Sequence, residues 1–369
     1  MRASDIQPTH EILRLISGID EFKGEWQALR HLPPDRLQSL RRVATIESVG
    51  SSTRIEGARL SDRQVDQFLG ALETESFQSR DEEEVAGYAY VMETVQSAWE
   101  DLPLTQSIVF QLHRDLLRYS SKDVRHRGDW KTLPNHVAAF DAAGKEVGIV
   151  FETASPLETP HRMEALFQWH AREEAEPTIH PLLRIGALVV EFLAIHPFQD
   201  GNGRLSRILT NLLLLRAGYA YVSFSSLESV IEHNKEGYYL ALRRTQTSLQ
   251  KGGADWEPWL LFFLRSLTTQ IKNLRQRLND KDAVQVRPRK LPEHLSPLAG
   301  QLLELLHERQ TLTLAEAAEA LGANRNTLKL KFKELVDAGE AKLYGKGRGA
   351  HYRRAGQSCS RPRAISSQS

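Results

Sequence analysis

The chain has 369 residues, 41% of them apolar, and its 48 basic side chains nearly balance 47 acidic ones. A single cysteine, Cys359, excludes a disulfide framework or a cysteine-rich metal site, and no apolar run reaches the ~18 residues of a membrane span. The length suits roughly two or three domains. The N-terminal "MRASDIQPTHE" lacks a signal-peptide core, which together with the lone cysteine gives a cytoplasmic expectation and none of a membrane partner.

Helical periodicity dominates in chain order. "PPDRLQSLRRVATIESVGSSTRIEG" reads as a helix opened by proline, and "SDRQVDQFLGAL" as a second, with Ser61 and Asp62 as capping candidates. "EEEVAGYAYVMETVQSAWE", "TQSIVFQLHRDLLRYS", "TPHRMEALFQWHAREEA" and "HPLLRIGALVVEFLAI" follow as amphipathic or apolar helices. Between them, Thr132 to Ser155 breaks the pattern. "NHVAAF" and "EVGIVFET" flank the polar turn "DAAGK", as in a hairpin. An isolated hairpin is marginal, so this one needs cover or a task. "RLSRILTNLLLLRAG" reads as a buried central helix ending at Gly218.

The polar stretch "NDKDAVQVRPRKLPEH", Asn279 to His294, reads as a linker. Beyond it "SPLAGQLLELLHERQ", "TLAEAAEALG" and "NRNTLKLKFKELVDAGE" make three helical patterns, and "AKLYGKGRGAHYRR" alternates around glycines. Three helices and a glycine-turned ribbon suggest a winged helix. Charge concentrates there: Asn324 to Arg354 holds nine Lys/Arg against three Asp/Glu, a local net of +6, in a chain of net +1.

The densest chemistry lies in "LAIHPFQDGNGRLSRIL", Leu193 to Leu209. Gly201 and Gly203 permit backbone angles that let N–H groups converge on one point. A helix starts directly after them, and its unpaired N–H groups and positive dipole end favour an anion. Arg204 and Arg207, three apart, add two guanidinium forks, which suit a polyphosphate. Asp200 can give one hard oxygen to Mg²⁺, a metal that takes few carboxylates alongside phosphate oxygens and water. His196 can accept a proton near neutral pH. Together these groups suit nucleotidyl transfer: a held triphosphate, an activated hydroxyl and a stabilised pyrophosphate. His180 in "TIHPLL" is an internal control, since it precedes a proline but lacks the glycines and arginines.

The run His196-Pro197-Phe198-Gln199-Asp200-Gly201-Asn202-Gly203-Arg204-Leu205-Ser206-Arg207 resembles the full signature of Fic-domain proteins, HPFx(D/E)GNGRxxR, and the helices around it resemble that family over about Pro33 to Leu264. The resemblance implies a mainly α fold: a Fic helical bundle with a β-hairpin flap near 135–153, followed by a small winged-helix domain. It implies the transfer of AMP from ATP to a Ser, Thr or Tyr hydroxyl of a target protein. By it His196 is the general base, and Asp200 the Mg²⁺ ligand. Gly201, Asn202 and Gly203 hold the inner phosphates, while Arg204 and Arg207 bind the outer ones. The flap would pair with the target's backbone by strand addition. Family pattern also places nucleotide contacts at Val137, Ala138, Ala139 and Phe140, and near Tyr238 and Gln246.

"GSSTRIEGARL" puts Ser52 and Glu56 on one helical face, with Gly57 permitting a turn. This resembles the inhibitory motif (S/T)xxxE(G/N) of family members that carry their brake N-terminal to the core. There the glutamate pairs with the second signature arginine, here Arg207, and denies the γ-phosphate its partner. In some members the same glutamate supports AMP removal. Self-modification and a homodimer are further family expectations.

In the basic segment Arg325, Lys329 and Lys333 recur every four residues, with Leu328, Phe332 and Leu335 on another face. Lys342, Lys346, Arg348, Arg353 and Arg354 lie in the ribbon. A helix in the major groove of DNA with a wing on phosphate is the physical expectation. The expected boundaries are 1–110 for the N-terminal helical region, 111–275 for the catalytic core, 276–295 for the linker, 296–355 for the winged helix and 356–369 for a disordered tail. The leading functional expectation is a Mg²⁺- and ATP-dependent protein adenylyltransferase restrained by Glu56. The alternative is a DNA-binding regulator whose site senses ATP.

Overall fold

The structure is a computed structural model and describes residues 6–28, 32–70, 77, 79–140, 146–279, 297–309, 311–321, 323–337, 340–344 and 350–354. The tail 356–369, most of the expected linker, Lys346 and Arg348 lie outside the described residues, as do the side chains of 137–140. The chain divides into two compact units, Met1–Gln285 and Val286–Ser369.

In the first unit the elements run α1 (His10–Ala28), α2 (Pro34–Ile55), α3 (Asp62–Gly70), α4 (Arg80–Ala98), α5 (Gln106–Leu116), β1 (Val137–Phe140), β2 (Glu146–Phe151), α6 (Thr159–Ala175), α7 (Pro181–Ile195), α8 (Asn202–Arg216), α9 (Leu227–His233), α10 (Lys235–Gln250) and α11 (Glu257–Asn279). Helix α7 is buried on nearly every side and lies against α6, α8, α10 and α11. A helix apolar all round belongs in a core. Its neighbour α8 is equally sunken, with Leu205, Ile208, Leu209, Leu212 and Leu214 fully buried. Each such side chain contributes roughly 1.5–3 kcal/mol of transfer free energy, so the two helices form a stiff floor for the loop that joins them.

The expected regions 1–110 and 111–275 share one hydrophobic core. Helix α1 has no counterpart among the sequence expectations. Ile12, Ile16, Ile19, Phe22 and Trp26 are buried, and the helix packs on α11. Their spacing of three or four residues is a helical signal readable in the sequence. Helix α11 in turn runs to Asn279, into the segment expected as linker.

The hairpin is present: β1 and β2 pair antiparallel, with Val137 opposite Phe151 and Phe140 opposite Glu146, and two register irregularities between. Helix α10 packs against β2. Among the described residues, no helix is long and apolar enough to cross a membrane.

The second unit runs α12 (Pro297–Arg309), β3 (Thr311–Thr313), α13 (Leu314–Leu321), α14 (Arg325–Asp337), β4 (Ala341–Tyr344) and β5 (His351–Arg354). The strands form an antiparallel sheet in the order β3-β5-β4. The helix expected over "TLAEAAEALG" is present as α13, and a short strand that the sequence reading did not name precedes it. Thr311 and Thr313 flank an inward Leu312, a β-branched alternation that pairs with β5. Leu328, Phe332 and Leu335 of α14 are buried, and Tyr352 stacks on Phe332 with centroids 3.8 Å apart.

Candidate functional site

The site is built on the turn from α7 into α8. Helix α7 ends at Ile195, and His196 adopts the left-handed conformation, φ 52° and ψ 61°. Its N–H still donates to Phe192 O at 2.8 Å. A non-glycine residue there costs about 1–2 kcal/mol, so this backbone is held by its surroundings. The His196 Nδ1–H donates to Leu193 O at 3.3 Å, because a carbonyl can only accept. Nε2 is then the lone-pair nitrogen. Burial pushes the imidazole down to about 4; the Leu193 hydrogen bond, Glu56 and Asp200 oppose the shift and Lys131 assists it. At neutral pH the ring is uncharged, with the lone pair on Nε2.

The next turn is braced internally. Asn202 uses both ends of its amide on Phe198, accepting from its N–H at 2.9 Å and donating to its O at 2.7 Å. Gly201 has φ 80° and precedes α8, a geometry that favours glycine. Gly203 differs from expectation. It has no positive φ and sits in the first turn of α8. A Cβ there would fall on Glu56 Oε1, so any side chain would displace that carboxylate. His113 of α5 supports the same turn. Gly128 N–H donates to its Nδ1 at 2.8 Å, so Nε2 carries the proton and donates to Asp200 O at 3.0 Å. The His113 ring stacks on Phe198 at 3.7 Å, and burial holds its pKa down to about 4.

The charged groups converge as expected, with additions. Arg204 is 2% exposed and lies 3.3 Å from both Asp200 Oδ1 and Glu84 Oε2. Arg80, from the start of α4, reaches Asp200 Oδ2 at 3.1 Å. Burial raises the Asp200 carboxyl, but Arg204, the Gly201 N–H, Arg80 and Lys122 outweigh it and leave the group below the usual carboxylate range. Buried Arg204 Nε and Arg207 Nη1 have no hydrogen-bond partner among the described residues. Unsatisfied guanidinium N–H groups beside a helix N-terminus are what an incoming phosphate would complete.

Helix α2 brings the second motif. Ser52 Oγ accepts from Arg207 Nε at 2.8 Å, Ser52 O accepts from Nη2 at 3.0 Å, and Glu56 Oε1 accepts from Nη2 at 2.7 Å. Gly57 turns the chain away at φ 110°. Burial would raise the Glu56 carboxyl, yet Arg207, Arg204 and His196 together hold it below normal. Burial opposes the Arg207 charge as well, and Glu56 more than compensates, so its pKa is raised.

Sequence reasoning missed the anchors of α2. Buried Glu228 of α9 accepts from Ser48 Oγ (2.8 Å), Tyr88 OH (3.0 Å), Asn211 Nδ2 (2.7 Å) and Ser226 Oγ (3.3 Å). Arg54 grips Glu232 through Nε (2.6 Å) and Nη2 (2.9 Å), and pairs with Asp62 at 2.9 Å. Ser48, Ser52 and Glu56 recur every four residues, which was the available signal for Ser48.

Tyr238 is buried, and with Ser206, Arg207 and Trp259 it lines a small cavity. Burial raises its phenol, with Arg207 opposing and Glu56 assisting. Gln246 is buried on the same helix, α10. His180 does not join the site: it caps α7. In the second unit Arg325, Lys329 and Lys333 are exposed on α14.

Fold and site thus define a helical protein with a glycine-bearing turn at the N-terminus of a buried helix, flanked by two buried arginines and a histidine. Residues 103–214 match the Fic/DOC family. It is 27% identical over 220 residues to a protein adenylyltransferase Fic of Drosophila virilis, a match that takes in 59% of this chain and 42% of that relative. The match therefore spans less than half the length of the curated relative. A Fic family protein from Desulfovibrio desulfuricans superposes with TM-score 0.59 at 21% identity, covering 96% of this chain and 99% of its own. A Fic domain containing signaling protein from Bacteroides thetaiotaomicron gives TM-score 0.55 at 27% identity, covering 70% and 97%.

Proposed function

We propose that the protein is an adenylyltransferase that moves AMP from ATP to a hydroxyl side chain of a target protein, and that Glu56 restrains it. The observation that carries this is the Arg207 guanidinium. It is buried beside an anion-binding helix N-terminus, yet clamped by Ser52 and Glu56 from another helix. A carboxylate holding a phosphate-binding arginine is a competitor for the phosphate.

In the active state Arg207 and Arg204 bind the outer phosphates, and the main-chain N–H groups of Gly201, Asn202 and Gly203 hold the inner ones. The His196 Nε2 takes the proton of the incoming alcohol. The new bond joins that oxygen to the α-phosphorus, the bond from the α-phosphorus to its bridging oxygen breaks, and pyrophosphate leaves. Asp200 fits Mg²⁺: its carboxylate is ionised, one-third exposed and already drawn to two cations. Asp200 would hold the metal, which would supply charge neutralisation to the leaving group.

The Glu56→Gly variant is expected to label itself from [α-³²P]ATP far faster than wild type. A charge-assisted contact of about 1.5–3 kcal/mol corresponds to roughly 10–100-fold. Equal labelling of the two would remove the brake, and no labelling of any protein by either would remove the enzyme.

A DNA-binding winged helix is the second reading, supported by the exposed Arg325, Lys329 and Lys333 on α14 and by the helix-and-sheet order of the unit. Affinity for duplex DNA that falls steeply between 50 and 200 mM salt, with a log–log slope of about 0.9 per phosphate contact, is the expected result. No retardation at low salt would leave a protein-contact module. Under the first reading the partners are a hydroxyl-bearing protein, the chain itself and a second copy. The cytoplasm and AMP removal remain part of the proposal.

A further inference from the structure

Four consecutive carbonyls at the catalytic turn are taken by one short segment. Lys131 Nζ donates to Ile195 O at 3.0 Å, and Lys131 N–H donates to Pro197 O at 2.8 Å. Asn135 Nδ2 donates to His196 O at 3.2 Å and to Phe198 O at 2.5 Å. The same two side chains meet the hairpin. Lys131 Nζ also donates to Asn135 Oδ1 (2.7 Å) and Thr153 Oγ1 (3.0 Å), and Thr153 Oγ1 donates to Asn135 Oδ1 (3.0 Å). Asn135 lies just before β1 and Thr153 just after β2. Both stems of the hairpin and the backbone around His196 therefore share one node.

The node is chemically unusual. Lys131 is 2% exposed, and its hydrogen bonds among the described residues reach no carboxylate. Its three donors end on neutral oxygens of three different segments. A buried ammonium without a counter-ion is costly, and a stability role would be served more cheaply by an apolar side chain. What the ammonium can do that an apolar group cannot is draw three acceptors to one point with fixed geometry. The residue that needs such fixing is His196, whose positive φ is sustained only where surrounding structure over-determines it.

We propose that Lys131 and Asn135 are positioning residues. They lock His196 in its left-handed conformation and tie that conformation to both stems of the hairpin, so the base and the hairpin move as one body. This rests on His196 being the base of the proposed reaction. An edge strand that captures a polypeptide then has its position set relative to the base without touching it.

The test uses the full chain in the Glu56→Gly background, with Lys131→Met, Lys131→Arg and Asn135→Asp. Asn135→Asp keeps the acceptor and loses both donors to the turn. Lys131→Met and Asn135→Asp are each expected to lower kcat for self-labelling by about 100-fold, the effect of a 1 Å misplacement. ATP affinity by calorimetry is expected to stay unchanged, because Arg204 and Arg207 are untouched. The His196 imidazole resonances should shift or broaden in both, and Lys131→Arg should recover part of kcat. Unchanged kcat with unmoved His196 resonances overturns the proposal. So does a loss of ATP affinity and melting temperature in step with kcat, the mark of a scaffold residue only. Should the Glu56→Gly parent transfer no label, the functional reading fails, and the His196 resonances of the variants still decide the clamp.

Discussion

Helix α7 carries a His-Pro pair at each end, His180-Pro181 at the start and His196-Pro197 just past the last turn. At the start the helix offers unpaired N–H groups. The His180 Nδ1 accepts one, from Leu182 at 3.3 Å, while its Nε2 meets Asp20 at 3.0 Å. Pro181 takes the first helical position, where a missing N–H is no loss. At the other end the helix offers carbonyls. There the His196 imidazole must donate, through Nδ1–H to Leu193 O, and Nε2 is left with its lone pair. Helix polarity alone reverses the role of Nδ1, an acceptor at the start and a donor at the end. The same dipeptide is a cap at one end and, at the other, leaves Nε2 free for the base role proposed above.

The sharpest way to break this comparison is to delete each ring. In the Glu56→Gly background, His196→Ala should lower self-labelling by about 10²–10⁴-fold, the usual contribution of a general base, and His180→Ala should retain the parent's activity. Equal losses would mean that both ends act on catalysis through stability.

Acid titration sharpens it next. His113, His170 and His196 are each pushed by burial to about 4, against about 6.5 in an unfolded chain. Between those values the unfolded state binds protons that the native state refuses. Stability is therefore full above pH 6.5 and falls as pH drops toward 4, by about 1.4 kcal/mol per pH unit for each group. Melting temperature measured from pH 7.5 to 4.5 checks the sign; a flat profile would sink the assignment of neutral buried rings.

A smaller effect probes the contact between α8 and α2. A methyl at Gly203 collides with Glu56 Oε1. Gly203→Ala should cost about 1–3 kcal/mol in wild type, as overpacking does, and markedly less in Glu56→Gly. Additive melting shifts in that double-mutant cycle would mean that the two residues do not meet. The smallest effect is at the first end of α7. His180→Ala should lower stability by about 1 kcal/mol, the worth of a helix cap, as read by denaturant midpoint.

Much of the site was legible because it is local. The glycines, arginines, acid and histidine sit within a dozen residues, and short-range geometry obliges them to share a turn. Ser52 and Glu56 were legible for the same reason, being one helical turn apart. His180 was separable from His196 because its neighbours lack the charged constellation. Helix α1 was legible in principle, since its apolar residues keep helical spacing. The strand at Thr311–Thr313 was not, because three residues hold too little periodicity to outvote the helical run behind them.

What the chain order alone determined is a buried helix, a turn able to hold an anion and a second helix bearing an acid. Tertiary structure decided which acid meets which arginine, what a side chain at position 203 would displace, and how His196 is kept in a backbone conformation that its own residue type resists. The cause is the range of the interactions. Propensity, capping and charge spacing act within a turn or two, whereas Glu56 to Arg207, Arg80 to Asp200 and Lys131 to Ile195 are hydrogen bonds between segments brought together only by packing.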